Sequence, residues 1–388
     1  MSSMKKNKSR LILYTLGFLM SLQIAIPAFV NSSFIGQYLF SENLIGLLYT
    51  IGSCGAILCV LIAPRILKKI GNYNTTVFLA IINALSLCVL AFSQKIILIL
   101  FAFIVILAIT AVLYFNLDIF LENNSEDKKT GNIRGLYLTI TNIAWLVSPL
   151  IMGVLLTNGD YWKIYLISAG ILLPVMALLF FNFRDFKDPV YKVTPFLGTF
   201  KKILARKNIY KIFMVKTFLQ FFYSWMVIYT PIYLHKYIGF DWKTIGIIFT
   251  IMLLPFVIFQ LPSGILADKK WGEKEILNIG IIIISCATII LSFITNANFW
   301  LWAFVLFITR VGASLVEIMS ESYFFKHIDG KDADIISFFG ITRPLAYLIA
   351  PVMASITLFF IDFRYIFFVL GFIVLFSLKY GLTLKDTK

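Results

Sequence analysis

Between Glu42 and Asp118 the chain carries no acidic side chain, and its cations there are limited to Arg65, Lys68, Lys69 and Lys95. A water-exposed fold needs charge at its surface. A soluble chain of 388 residues could not hide a composition that is 60% hydrophobic and only 14% charged. Continuous apolar runs near the ~20 residues that cross a bilayer core read as transmembrane helices. A membrane barrel would alternate apolar with polar residues, and these runs do not.

The pattern predicts an all-α integral membrane protein with twelve spans, at about 11–32, 44–63, 74–93, 96–121, 135–157, 161–183, 209–233, 243–266, 276–294, 299–325, 335–360 and 364–383. The basic start MSSMKKNKSR leads into the first run, which is long and lacks a small-residue cleavage site. It reads as a retained helix rather than a signal peptide. The longest polar stretch, 184–208, reads as a cytoplasmic linker. It divides an N-terminal six-helix bundle (1–183) from a C-terminal one (209–388) and holds an amphipathic segment near Phe196 to Leu204.

Charge sets the orientation. Lys95, Lys163, Lys236, Lys243 and Arg364 fall on one side, and Lys216, Arg310 and Arg343 fall inside spans. The other Lys and Arg of the 34 fall on the opposite side. This asymmetry predicts both termini in the cytoplasm, in the plasma membrane. It also explains the net charge of +15 by anionic headgroups rather than by nucleic acid. Cys54, Cys59, Cys88 and Cys286 lie inside apolar runs and read as small buried hydrophobes. His235 and His327 are too far apart to suggest a metal site, and no cofactor motif is present. There is no GxxxxGK[ST] motif, so no ATPase is expected in the chain.

The halves repeat. LTITNIAWLVSPLIMG (138–153) aligns with GITRPLAYLIAPVMAS (340–355), placing Pro149 on Pro351. NLIGLLYTIG (43–52) aligns with KTIGIIFTIM (243–252), placing Gly46 on Gly246. Transporters built from such repeats hold their site where the repeats meet. SGILADKKWGEK (263–274) and APRILKKIGN (63–72) occupy the same place in each half, between the second and third spans. Gly264, Asp268, Lys269 and Gly272 of the former resemble the G-x-L-A-D-R/K-x-G-R/K loop of the major facilitator superfamily. The first copy departs from it: Leu67 stands where the acid is usual, and Pro64 replaces a glycine, while Arg65, Lys68 and Gly71 remain. The resemblance implies two pseudo-symmetric six-helix bundles and a loop that latches the cytoplasmic side in one conformational state. As a plain turn, the same stretch would supply positive-inside charge and nothing more.

Ionisable groups inside a span are costly and call for a reason. Asp118 and Glu122 share one face of the fourth span, and Glu317 and Glu321 share one face of the tenth, at what the repeat suggests is an equivalent place. Arg310 lies two turns before Glu317, Arg343 is on the eleventh span and Lys216 on the seventh. Glu122 and Glu321, nearer the surface, are expected to gate by pairing with loop cations or capping a helix. Asp118 and Glu317, one turn deeper, are expected to couple protons, or alternatively to form a permanent ion pair such as Glu317 with Arg310. Gln23, Tyr114, Thr141, Asn142, Gln220, Tyr223, Trp225 and Gln260 are polar candidates for lining a cavity. Arg310-Val311-Gly312 resembles a fragment of a family motif usually described for the fourth span. SPLIMG (148–153) faintly resembles the antiporter motif G-P-x-x-G-G.

These readings converge on a monomeric secondary transporter working by alternating access, with membrane lipid around it and protons and a small molecule as its partners. Proton-linked efflux of an amphipathic or cationic compound is the first expectation. Import of a sugar, peptide or organic anion is the alternative. An integral membrane enzyme would want a His-Asp pair or a clustered acidic loop on one surface, and both histidines are read as lacking a suitable neighbour. A lipid scramblase on the same fold is the remaining class.

Overall fold

The computed structural model describes the backbone of residues 2–39, 41–123, 130–156, 159–190, 196–267, 271–328 and 333–385. Their side chains are described apart from 2–9, 122–123, 130–135, 138, 196–197, 261, 265, 333–334 and 336–337. The described residues are helical throughout, with short turns between. In chain order the helices are α1 (Ser2–Ala28), α2 (Asn31–Leu39), α3 (Glu42–Ile70), α4 (Asn72–Phe92), α5 (Ile96–Asn123) and α6 (Thr130–Leu155). Then come α7 (Tyr161–Phe183), α8 (Phe196–Ala205), α9 (Lys207–Ile232), α10 (Trp242–Ile258), α11 (Gln260–Leu266) and α12 (Glu273–Leu291). The last five are α13 (Phe299–Lys326), α14 (Ala333–Gly340), α15 (Thr342–Phe360), α16 (Ile366–Phe376) and α17 (Leu378–Leu382). Among the described residues, 11 helices are long and apolar enough to cross a membrane, and the shorter apolar helix Thr139–Leu155 occupies the place of the remaining span.

Several expected boundaries shift for local reasons. The first span continues through α2 to Leu39, after a break beside Pro27. The stretch 63–72, expected as a loop, is helical as far as Ile70. The eighth span breaks at Phe259, because Pro262 has no N–H to donate to the Ile258 carbonyl, and resumes as α11. The eleventh breaks between Gly340 and Thr342. The amphipathic segment of the linker is helix α8, which packs on α9 and α14. The cysteines are corrected too. Cys54 and Cys286 are exposed and Cys59 and Cys88 half-buried, because the outer face of a span meets lipid and needs no protein cover.

The chain divides into two compact units. One comprises Met1–Phe40 with Ile51–Val193, and the other Ser41–Thr50 with Thr194–Lys388. In the first, α1 packs on α6 and α7, and α4 on α5 and α7. In the second, α13 packs on α9, α10 and α12, and α12 also packs on α16. Glycines set the closest approach: a Cβ on Gly312 would fall 2.5 Å from the Ile284 backbone nitrogen, and one on Gly280 would fall 2.9 Å from the Gly312 carbonyl. Gly312, noted for its place after Arg310, is thus a packing residue between α12 and α13. At Gly264, by contrast, the nearest atom among the described residues is on the Ile318 side chain, at 3.9 Å from a built Cβ.

The repeat is visible in the backbone. Gly71 (φ 82°, ψ 163°) and Gly272 (φ 80°, ψ 163°) adopt the same conformation, each immediately before the helix that opens the third span of its half. Side-chain residues rarely enter this region, so both turns select glycine. Helices α5 and α13 are each 28 residues long and share several buried positions counted from their starts. Phe103, Leu113, Leu117, Phe120 and Leu121 are buried on α5, as are Leu306, Val316, Ser320, Tyr323 and Phe324 on α13. That register pairs Tyr114 with Glu317 and Asp118 with Glu321. The equivalence of Asp118 with Glu317 drawn from the sequence is therefore one turn out.

Candidate functional site

The second unit gathers a charge cluster from three helices, with buried Lys216 and Arg310 and half-buried Glu317 and Glu321. Lys216, Gln220 and Tyr223 lie on one face of α9, spaced four and three residues apart. Arg310, Glu317 and Glu321 lie on one stripe of α13, spaced seven and four apart. Gln260 opens α11, brought there by the break at Phe259. Caps fix the entry of two of the supporting helices: Asp241 accepts from the Thr244 backbone at 3.3 Å to start α10, and Asn298 accepts from Leu301 at 3.1 Å to start α13.

Lys216 is 6% exposed and is shared by two carboxylates. Its Nζ lies 2.9 Å from Glu321 Oε1 and 3.7 Å from Glu317 Oε1. The other oxygen of Glu317 accepts from Gln260 Nε2 at 3.2 Å, with the Tyr223 hydroxyl at 3.5 Å. The ring of Phe339 lies 5.9 Å from the ammonium. An ammonium taken out of water costs several kcal/mol unless paired, and here two carboxylates supply the pairing. Sequence reasoning placed Lys216 inside a span but gave it no role. The signal available was spacing, since Lys216 shares a helical face with Gln220 and Tyr223.

Two expectations are corrected here. The cation beside Glu317 is Lys216, not Arg310. Glu321, expected to engage loop cations or cap a helix, turns to Lys216 instead, because the α9 lysine is the nearer cation and sits out of water. Arg310 is 3% exposed. Its Nη1 donates to Thr309 Oγ1 at 3.4 Å, and its guanidinium stands over the rings of Phe222 (4.8 Å) and Tyr223 (5.9 Å). Arg343 is exposed on α15, 6.0 Å from the Tyr347 ring.

The other candidates stand elsewhere. Gln23 is buried on α1, with Nε2 lacking a hydrogen-bond partner among the described residues. Tyr114 and Asn142 are half-buried on α5 and α6, and Asp118 is exposed on α5. These four belong to the first unit. Arg65 and Lys68 are exposed near the end of α3. Asp268, Lys269 and the side chain of Glu122 lie outside the described residues.

The two glycine turns are built differently. At Gly71, Asp188 Oδ1 accepts from the Asn72 backbone at 2.8 Å, the first free N–H of α4. Asn72 donates to the Asn116 carbonyl at 3.0 Å, and Asn116 donates to Thr76 at 3.1 Å. Leu67, standing where the resemblance expects an acid, is buried. A carboxylate arrives instead from the linker. A hollow of about 440 Å³ opens beside this turn, lined by Leu67, Lys68, Gly71, Asp188 and Val190 among others. At Gly272 the acid is in the helix itself. Glu273 is 1% exposed, accepts from the Ser322 hydroxyl at 3.0 Å and pairs with Lys326. Sequence reasoning missed Asp188 and Glu273, because a partner more than a hundred residues away, or fifty residues on across a helix pair, leaves no local pattern. The histidines serve structure: His235 bonds the Phe240 carbonyl and His327 that of Tyr323.

A helical membrane fold with this repeat and a charge cluster inside its spans defines a secondary-transporter class. Solved structures of the same fold include a bacterial homologue of the human lysosomal transporter Spinster, inward-facing and unoccupied. It has a TM-score of 0.73 and 12% identity, over 97% of this chain and 95% of that one. The nucleoside transporter NupG gives a TM-score of 0.77 at 12% identity, over 97% of this chain and 99% of its own. No curated protein matches in sequence. The Major Facilitator Superfamily model matches residues 11–328 and 242–386, and the chain belongs to that family. It is an integral membrane protein of a family of transporters that bind small molecules.

Proposed function

We propose that the protein is a proton-coupled secondary transporter whose proton site is the Lys216–Glu317–Glu321 triad. The observation that carries this reading is one buried lysine held between two carboxylates. The triad has a net charge of −1 with both acids ionised and zero with one proton bound. A low-dielectric setting favours the neutral inventory, and contact with water permits release of the proton. A group whose access alternates between the two sides can therefore carry one proton per cycle. The moving bodies in this reading are the six-span halves 1–183 and 209–388 joined by 184–208, in a plasma-membrane monomer with both termini cytoplasmic and lipid around it. The Gly71 and Gly272 turns, with Asp268, Lys269 and Glu122 in their neighbourhood, are the gating elements.

Direction depends on how cargo and proton share the cluster. Exchange of a proton for a cationic solute makes an exporter, the direction favoured by the SPLIMG stretch in α6. Binding of both together makes an importer. Protein reconstituted into vesicles, loaded with a mixed pool of labelled small molecules and given a pH gradient, tests the reading. Gradient-driven flux is expected in the wild type and is expected to fall at least tenfold in Glu317→Gln. Unchanged gradient-driven flux in both Glu317→Gln and Glu321→Gln would remove the triad as the proton site.

A further inference from the structure

We infer that Arg310 is the receptor for the anionic group of the cargo, and that the cargo is an organic monoanion with an apolar, aromatic-compatible body. The inference rests on the transport reading and names its substrate class.

Arg310 is a cation inside a span, nearly fully buried, on the helix that also carries the carboxylate pair. Among the described residues no carboxylate pairs with it. Its one hydrogen bond is the long one to the neighbouring Thr309 hydroxyl. A guanidinium has five N–H donors in a planar fork that matches a carboxylate in two parallel bonds. Leaving such a fork without an anion is costly in hydrocarbon surroundings, so an unmatched intramembrane arginine points to a ligand. Phe222 and Tyr223 flank it from α9, and Tyr347 on α15 comes within electrostatic reach. Aromatic faces hold a guanidinium by its plane and leave its edge for an oxyanion, and the same rings suit an apolar or aromatic cargo body.

The charge count sets the stoichiometry. The −1 of the ionised triad is offset by Arg310, so an anion held at Arg310 restores the charge that one proton on the triad neutralises. Arg343 is exposed and its charge is not confined to the interior. One proton on the triad is therefore matched by one anionic charge at Arg310, which lies two turns along the same stripe, ~10 Å away at 1.5 Å per residue. Cargo and proton then bind together rather than in competition. This favours co-transport over the exchange suggested by the sequence.

Three probes on one skeleton test the idea: 4-phenylbutyrate, 4-phenylbutylamine and 4-phenylbutanol. Each is titrated against purified full-length protein, with thermal unfolding as the readout. The carboxylate is expected to stabilise the wild type at concentrations at least tenfold below those the amine or alcohol needs. Its apparent affinity is expected to be higher at pH 6 than at pH 8. Arg310→Gln should weaken the carboxylate at least tenfold, and Arg310→Lys, which keeps the charge but loses the fork, by less. Stabilisation by the amine or alcohol at equal concentration overturns the assignment. So does undiminished carboxylate binding in Arg310→Gln, or no carboxylate binding by folded wild type. Should Arg310→Gln not fold, the wild-type selectivity and Arg310→Lys still decide. The vesicle assay keeps the two readings apart. Carboxylate binding without gradient-driven flux leaves the anion site and removes transport, whereas gradient-driven flux of amines alone does the reverse.

Discussion

Helices α5 and α13 have the same length and share several buried positions, yet they carry different chemistry on the face beside them. Where α13 has Glu317, bonded to Lys216 and Gln260, α5 has the half-buried Tyr114. Where α13 has Glu321 against Lys216, α5 has the exposed Asp118. Both hold the fold by apolar packing on one side. The difference is confined to the other side, where the second unit has placed a paired set of charges. A duplicated fold can keep its packing code and let one copy specialise, because the two faces of a helix answer to different demands.

The largest expected effect comes from removing the cation at the centre of the second unit's cluster. Lys216→Met leaves Glu317 and Glu321 facing each other without a counter-charge. Breaking a fully buried ion pair costs about 3–5 kcal/mol, and the part-exposed carboxylates here set the loss toward or below the lower end. Purified Lys216→Met should unfold many degrees below wild type, and the double variant with Glu317→Gln should recover part of the loss. Tyr114→Phe, at the matching place in the first unit, removes one hydroxyl and no charge and should cost at most about 1 kcal/mol. Equal losses in Lys216→Met and Tyr114→Phe would break the comparison.

The glycine turns sharpen it further. Gly71 and Gly272 share a backbone conformation that costs about 1–3 kcal/mol for any other residue. Their surroundings differ, since a Cβ on Gly71 would also fall 2.6 Å from Asp188 Oδ2. Both Gly71→Ala and Gly272→Ala should lower the unfolding temperature, Gly71→Ala by more. Adding Asp188→Ala to Gly71→Ala should relieve the excess if the linker carboxylate is its cause.

What the sequence made legible follows from the range of each signal. Span number, the repeat and the glycine turns rest on apolar runs and local backbone demands, and all can be read from neighbouring residues. Glu317, Glu321, Arg310 and Tyr223 could be chosen as candidates because an ionisable or polar group in an apolar run is conspicuous. Their pairing could not. Whether Glu317 meets Arg310 on its own helix or Lys216 on α9 depends on how α9 rotates against α13. No helical spacing encodes that rotation. The register between α5 and α13 was missed for a related reason: acids four apart in both halves invite alignment with each other, while the buried apolar positions that fix the register sit between them. Asp188 caps α4 from a different part of the chain, so nothing near Gly71 announces it.

The smallest effect is the one that tests the register itself. Asp118, the counterpart of Glu321 in this register, is exposed on α5 and is no part of the proposed proton site. Asp118→Asn is expected to change stability by less than about 1 kcal/mol, the range for an exposed charge, and to leave gradient-driven flux within twofold of wild type. Glu321→Gln removes one of the two acids on Lys216, so the remaining pair is already neutral and has lost its reason to take up a proton. Its gradient-driven flux should fall about tenfold while its fold survives, because Lys216 keeps Glu317. A loss of coupling in Asp118→Asn as deep as in Glu321→Gln would mean that both copies of the repeat handle protons. The division of labour between α5 and α13 would then be wrong, even with the packing register intact.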